Sequence, residues 1–312
     1  MELSQNEFRQ QHLERVSRSF AFCISQLGEP LRTWVGLSYL MCRVLDTIED
    51  AEFSDVSDQL ALFSQFEQSI QEQPKVTLSS VWYQQFPGNL PKGELLLLKD
   101  VAIVISQFHE LPDSIRPIVR EMACTMSQGM KKFTLSKVKG VLRLQSVEEF
   151  RRYCYVVAGT VGEALSQFLA RVDASFQFTE KVRGQSIQFG EFLQRVNIIK
   201  DQGSDEKLGR FLIPQSEEVW DSSLGTAEES LKYLESLPEQ QLAYRRFCGW
   251  SLFLGLETLK SIRQTKTKGI SREQLAQILE RVDKGLQGSG AELRIYFQDL
   301  SWQIWPHRPR TT

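Results

Sequence analysis

Apolar residues along this chain recur every three to four positions, in runs broken by proline and glycine. Leu31, Trp34, Val35, Ser38, Leu40 and Met41 suit a buried helix begun by Pro30 near its first turn. Leu60, Phe63, Phe66 and Ile70 keep the same spacing, as do Phe150, Cys154, Val157 and Val161. Further stripes are Phe189, Phe192, Leu193, Val196 and Ile199, then Phe253, Leu256, Leu259 and Ile262. Alternation at period two is nowhere sustained, and strand candidates such as Val101 to Ile105 are short. Pro74, Pro87-Gly88-Asn89, Pro91, Pro112, Gly140, Pro214, Gly225 and Gly269 separate the helical runs. No long linker and no internal repeat interrupts them. The pattern predicts one all-α domain over 1–312, of roughly ten helices. Residues 134–145 are basic and weakly periodic, which suits either an ordinary loop or an active-site lid.

The chain has 312 residues, 41% of them hydrophobic and 24% charged, enough apolar material for a sizeable core. Lys and Arg number 37 against 39 Asp and Glu, a net charge of -2. The chain as a whole lacks a basic excess, so no nucleic-acid partner is expected. Cys23, Cys42, Cys124, Cys154 and Cys248 are far apart and form no CxxC pair. They read as reduced, buried residues of a cytoplasmic protein, and their spacing does not suit a thiolate zinc site. Residues 1–18 are polar with both charge signs, which does not suit a signal peptide. No window reaches about 18 uncharged apolar residues, so no transmembrane segment is expected. The tail from Asp299 carries Trp302 and Trp305; a final helix docking them into the core is expected ahead of peripheral contact with a membrane surface.

Chemistry enters with two acid clusters. Asp46-Thr-Ile-Glu49-Asp50 places Asp46 and Asp50 at i and i+4 on one helix face, with Glu49 beside them. Asp201-Gln-Gly-Ser-Asp205 repeats the spacing if its helix continues, and Asn197 lies one turn earlier. Like charges at this spacing repel by a few tenths of a kcal/mol. Each cluster also follows a long apolar run, which puts it at a helix C-terminus, where the dipole disfavours an anion by roughly 0.3–1 kcal/mol. Divalent cations reverse both penalties, and carboxylates are hard ligands suited to Mg²⁺, which bridges to substrate phosphates. Solvated acidic helix ends are the plain alternative. Against it, Val35 to Leu45 is nearly all apolar apart from Arg43, and Phe192 to Ile199 is similar. Buried helices tipped with carboxylates suggest an interior polar cavity for metal and diphosphate. Arg18, Arg43, Lys200 and Arg210 could stabilise a leaving diphosphate, or could pair with the acids.

Other chemistries fit poorly. Only His12, His109 and His307 occur, and none sits in a suggestive setting for a Ser-His-Asp or Cys-His arrangement. No phosphate-binding or dinucleotide-binding glycine motif is present. Ala158-Gly159-Thr160-Val161-Gly162 puts glycines inside a helix, at about 1 kcal/mol each relative to Ala. They allow either close helix packing or room for a ligand chain.

Together these residues resemble the squalene and phytoene synthase family, from about Val16 to Trp220. Ser17-Arg18-Ser19-Phe20 looks like the family's diphosphate-binding opening. Tyr39, Arg43 and Asp46 with Glu49-Asp50 match its first aspartate-rich motif. Tyr153 to Gly162 matches its central helix, and Gln194, Asn197, Lys200, Asp201 and Asp205 match its second acidic motif. Motifs in this order are far more specific than any one alone. The first acid motif and Phe192 to Asp201 look closest to the squalene branch, while Val157 to Glu163 also looks like dehydrosqualene and phytoene synthases.

The resemblance implies the all-α isoprenoid synthase (terpene synthase-like) fold, a single domain with a central cavity. Asp46, Asp50, Asn197, Asp201 and Asp205 are implied to hold Mg²⁺ and diphosphate, with Glu49 assisting. Diphosphate contacts are implied for Ser17, Arg18, Ser19, Tyr39, Arg43, Gln194, Lys200 and Arg210, and a prenyl channel lined by Tyr153, Val157, Ala158 and Gly162. Tyr153 is implied in proton removal or cation stabilisation, and Phe247 of Phe247-Cys248 in facing a carbocation. The implied activity is prenyl transfer. Two farnesyl diphosphates condense head to head to presqualene diphosphate with Mg²⁺, and NADPH then reduces the product to squalene.

The chain departs from the squalene branch after Phe247-Cys248, reading Gly249-Trp250-Ser251-Leu252 where that branch carries Pro-Gln. Lys266-Thr-Lys268-Gly269 only loosely matches the reductase-side motif, and no nicotinamide-binding residue is assigned. An enzyme that stops at presqualene diphosphate or dehydrosqualene is the nearest alternative. A non-catalytic assembly factor on the same fold is the alternative of another class, and such a protein would be expected to lose its acid motifs.

Overall fold

The computed structural model describes residues 4–214, 216–265, 269–288 and 290–307, with the side chains of Arg18, Ser19 and Ser216 outside that description. Helices dominate, as the periodicity predicts. In chain order they are α1 Gln5–Val16, α2 Arg18–Ser25, α3 Leu31–Asp50, α4 Val56–Ser69, α5 Lys92–Lys99, α6 Val101–His109 and α7 Arg116–Leu135. Next, α8 Val147–Cys154 passes through a π-helical turn, Tyr155–Gly159, into α9 Thr160–Val172. Then come α10 Glu180–Lys207, α11 Ser216–Ser236, α12 Leu242–Thr265, α13 Arg272–Gln287 and α14 Ala291–Ile304. The apolar run at Val101 is therefore a helix and not a strand. Among the described residues the one sheet is a parallel pair, β1 Leu142–Arg143 and β2 Arg210–Phe211. The basic segment from 134 forms the end of α7, a tight turn joining Val138 to Val141, and β1. Lys139 (φ 52°) and Gly140 (φ 79°) take the left-handed conformation that such a turn demands.

Two compact units make up the chain: Met1–Lys137 with Gln167–Ala174, and Val138–Ser166 with Ser175–Thr312. In the first, α3 is the central helix and touches α1, α2, α4, α5, α6 and α7. Leu31, Trp34, Val35, Ser38, Leu40 and Met41 are buried, as their spacing predicts, and Leu37, Val44, Leu45 and Ile48 are buried with them. With its other faces covered, the C-terminal half of α3 keeps one stripe half-buried or exposed: Tyr39, Arg43, Asp46 and Asp50. The carbonyls at its end are capped from α4, where the Gln59 side chain donates to Ile48 O at 2.6 Å and Glu49 O at 3.0 Å. The start of α5 is pinned to the end of α1, because a Cβ on Gly93 would lie 2.5 Å from the Arg15 carbonyl oxygen.

In the second unit α10 packs on α8, the π-turn, α11, α12 and β2, while α12 packs on α13 and α14. Gly162 and Gly190 interlock two helices: a Cβ on Gly162 would strike the Ser186 carbonyl, and one on Gly190 the Ala158 carbonyl. Of the two uses open to the small residues after Ala158, close packing is the one Gly162 serves here. A buried hydroxyl chain links three helices, with Ser166 Oγ 2.6 Å from Tyr233 OH and Tyr233 OH 2.9 Å from Tyr244 OH. Of the two tail tryptophans, Trp305 docks as expected, 3% exposed, its indole N–H donating to Trp220 O at 2.7 Å. Trp302 does not dock; it is 44% exposed. No disulfide joins the five cysteines, and four of them are buried. Lys266 to Lys268 lie outside the described residues.

Candidate active site

Both acid clusters lie in the last turns of their helices, α3 ending at Asp50 and α10 at Lys207. Because α10 runs on past Asp205, Asp201 and Asp205 share a face as Asp46 and Asp50 do. No basic residue occupies the last turn of α3 to offset its dipole.

On α3 the stripe is organised around Arg43. Its Nη2 donates to Tyr39 OH at 3.1 Å, and its Nη1 lies 4.0 Å from Asp46 Oδ2. Its Nε is buried and has no partner. Burial works against the Arg43 charge, but Asp46, Tyr39 and Glu94 outweigh it and raise its pKa above the ordinary arginine value. Glu49 is buried, unlike its neighbours Asp46 and Asp50, and its carbonyl accepts from Lys137 Nζ at 3.3 Å. Ser17 caps α2 with its hydroxyl, which accepts from Phe20 N at 3.4 Å. The side chains of Arg18 and Ser19, named from the sequence, lie outside the described residues.

On α10 the open stripe is Gln194, Asn197 and Asp201, all half-buried, at the spacing of one helix face. Lys200 Nζ lies 3.3 Å from Asp201 Oδ2, so here the lysine does pair with the acid. Asp205 is only 8% exposed, and Arg210 on β2 donates to its Oδ1 at 2.6 Å. In the same unit Tyr153 is buried near the end of α8, and Val157 and Ala158 are half-buried on the π-turn. Such turns are frequent at functional sites. Phe247 is buried on α12, its ring 6.1 Å from that of Tyr244. The departure that follows it packs against α13: Trp250 donates through its indole to Asp283 at 3.1 Å, and a Cβ on Gly249 would press on Val282.

Two groups escaped the sequence reading. Glu94 on α5 lies 4.0 Å from Arg43 Nη1. Burial pushes its carboxyl pKa up, Arg43 pulls it down, and Asp46 pushes it up again. An acid in the first turn of a helix is an ordinary residue there, so nothing local marks it. The second is the Glu191 and Arg195 pair, 3.7 Å apart and buried in α10. Its i, i+4 spacing looks like a common surface pair, and only the packing shows that Arg195 spans to Ser222 Oγ at 2.7 Å.

Among the described residues no three His, Cys, Asp or Glu side chains converge to hold a metal ion. Mg²⁺ asks for no such cage when one or two carboxylates bind it and phosphate oxygens supply the rest. Half-buried Asp46 and Asp201, each with further oxygen donors on its own helix face, fit that kind of binding. No helix of the described residues is long and apolar enough to cross a membrane.

The fold is all-α, and in each unit one acid-tipped helix offers oxygen donors of the kind a hard cation takes. The family model for squalene/phytoene synthase matches residues 13–220, and the chain belongs to that family. The squalene synthase of Eremothecium gossypii is 26% identical over 305 residues, covering 88% of this chain and 64% of that protein. The squalene synthase of Saccharomyces cerevisiae is 32% identical over 211 residues, covering 67% of this chain and 45% of that protein. The chain thus spans 64% and 45% of the lengths of these curated relatives. A ligand-bound structure of TcSQS aligns with a TM-score of 0.80 at 21% identity, covering 98% of this chain and 92% of that one. A ligand-bound dehydrosqualene synthase aligns at 0.62 and 20% identity, covering 90% and 96%. These structural likenesses establish the fold, the helical terpene synthase-like one that the motifs imply.

Proposed function

We propose that this chain is a prenyltransferase that condenses two farnesyl diphosphates head to head to presqualene diphosphate in the presence of Mg²⁺, and then forms squalene with NADPH. The observation that carries the reading is the stripe Tyr39, Arg43, Asp46 and Asp50, left open where the other faces of α3 are buried, with a like stripe on α10. The helix dipole and the like charges disfavour acids there; a cation and a diphosphate offset that cost.

The chain's own residues have defined tasks in this reading. Asp46, Asp50, Asn197 and Asp201 offer oxygen ligands, with Glu49 behind the first pair and Asp205 held by Arg210. Arg43 and Lys200 bring positive charge to diphosphate oxygens, which gain negative charge as the allylic C–O bond breaks. Mg²⁺, when bound, adds Lewis-acid neutralisation of the same oxygens. The double bond of the second farnesyl diphosphate, which keeps its own diphosphate, then attacks the allylic cation to form the new C–C bond, and closure of the cyclopropane releases a proton that the departed diphosphate can take up, with Tyr153 assisting its removal or stabilising the cation. NADPH supplies hydride to the second half-reaction.

The test is to incubate the purified protein with farnesyl diphosphate and Mg²⁺, with and without NADPH, and to identify products by mass spectrometry. Squalene only with NADPH is the expected result. Presqualene diphosphate or dehydrosqualene in both samples would leave the condensation standing and remove the reductive step, which the Gly249-Trp250 departure singles out as the weaker half. No C30 product in either sample would overturn the reading.

A further inference from the structure

We propose that Glu94 is a positioning residue for Arg43: it holds the guanidinium edge that Asp46 releases when that carboxylate engages a cation. The inference rests on the diphosphate-binding reading above and adds to it a residue outside both acid motifs. Glu94 does not reach Arg43 by chance of side-chain rotation. Gly93 lies so close to the Arg15 carbonyl that any side chain there would clash, which pins the first turn of α5 to the end of α1. From that turn Glu94 faces α3, half-buried, with Oε1 4.0 Å from Arg43 Nη1.

Asp46 Oδ2 lies at the same 4.0 Å from the same Nη1. The two carboxylates therefore bracket one edge of the guanidinium equally, each too distant for a charged hydrogen bond, which closes at about 2.8 Å. Tyr39 OH takes Nη2 at 3.1 Å, and Nε has no partner. An arginine held this loosely can turn toward an incoming oxyanion. A cation on Asp46 changes the balance, because it withdraws that carboxylate and repels Arg43. Glu94 then supplies the remaining attraction, from an element pinned in place, and keeps the positive charge beside the acid stripe.

A carboxylate that merely sits nearby would act in the opposite direction. Removing a negative charge from the neighbourhood of a bound diphosphate strengthens anion binding, whereas removing the residue that positions Arg43 weakens it. Isothermal calorimetry of inorganic pyrophosphate in Mg²⁺ separates the two. Glu94→Gln should weaken binding about tenfold, the scale of one charged hydrogen bond poorly made. Glu94→Asp should recover part of the loss. In the Arg43→Gln background, Glu94→Gln should weaken binding no further. Equal or tighter binding by Glu94→Gln, or the same loss without Arg43, overturns the proposal and leaves the prenyltransferase reading intact. Wild-type protein that binds no pyrophosphate in Mg²⁺ overturns that reading and this one together.

Discussion

Gly190→Ala should destabilise the protein, while Gly184→Ala, earlier on the same helix, should stabilise it. At Gly190 an added Cβ would strike the Ala158 carbonyl oxygen, lie 2.8 Å from its carbon, and lie 3.1 Å from Gly159 Cα. All of these are backbone atoms, so no rotamer change relieves the clash. The helices must part by roughly 1 Å in a close-packed interior, and overpacking of this kind costs about 1–3 kcal/mol. Alanine returns about 1 kcal/mol of helix propensity. Because the clash is with backbone, the upper part of the overpacking range applies, and the net loss is about 1–2 kcal/mol, or roughly 1.5–3 °C in Tm at about 2.1 cal/mol/K per residue. Gly184 is exposed and has no atom within 4 Å of a built Cβ, so its substitution keeps only the propensity gain, about 0.5–1 kcal/mol.

Thermal melts followed by circular dichroism measure both variants against wild type. The reasoning fails if Gly190→Ala melts at or above wild type, or if the two substitutions shift Tm in the same direction. Activity adds a second reading. The atoms that Gly190 touches belong to the π-turn carrying Val157 and Ala158, and Gln194 and Asn197 follow on α10. Product formation by Gly190→Ala, assayed well below its Tm, should therefore fall even where the protein is fully folded.

Asp46→Asn and Asp201→Asn should each lower C30 product formation by about 100-fold or more in a fixed-time assay with Mg²⁺, the scale of losing one preorganised electrostatic contact. Asp50→Asn should also lower C30 product formation, and a loss that rising Mg²⁺ partly restores is expected of a metal-binding carboxylate; unchanged product at low Mg²⁺ would contradict it. Tyr233→Phe should cost about 1–3 kcal/mol in denaturant unfolding, since it removes the hydroxyl that bridges Ser166 Oγ and Tyr244 OH, and the double change with Tyr244→Phe should cost less than the sum of the singles. Burial raises the Glu191 pKa above its usual 4.5, so the folded state binds its proton more tightly than the unfolded one. That stability is complete below pH 4.5 and is lost as pH rises through the folded value; unfolding midpoints of Glu191→Gln should lack this decline, and a pH-independent gap between the two proteins would refute it.

The helices were legible because their signal is local and repeated. The spacing from Leu31 to Met41 or from Phe189 to Ile199 can be satisfied by one element alone. The Val101 run was ambiguous because five apolar residues suit a strand or a helix, and packing against α3 decided it. Gly162 was ambiguous for a related reason: a small residue in a helix signals that something comes close, but not what. Here it is the Ser186 backbone. Trp302 and Trp305 look alike in sequence, and only the reach of Trp305 to the Trp220 carbonyl separates them.

The acids of the site were legible for a different reason, which also explains why their partners were not. Asp46 and Asp50 conflict with their own helix, by like charge and by dipole, and a conflict within one element can be read from sequence. Glu94 conflicts with nothing on α5, so its place in the site exists only through the packing of α5 on α1 and α3. The structure adds a criterion that sequence lacks. At the half-buried Glu67 the contacts are closed: Lys131 meets it at 2.7 Å, and Ser127 donates to the same carboxylate at 2.8 Å. Around Arg43 both carboxylates remain at 4.0 Å and Nε is unpartnered. The closed pair at Glu67 needs nothing further to be stable, whereas the loose arrangement on the open stripe of α3 leaves charge for a ligand. Arg43, with both of its carboxylates at 4.0 Å, should therefore be lost with more effect on diphosphate binding and less on stability than Arg210, which Asp205 holds at 2.6 Å.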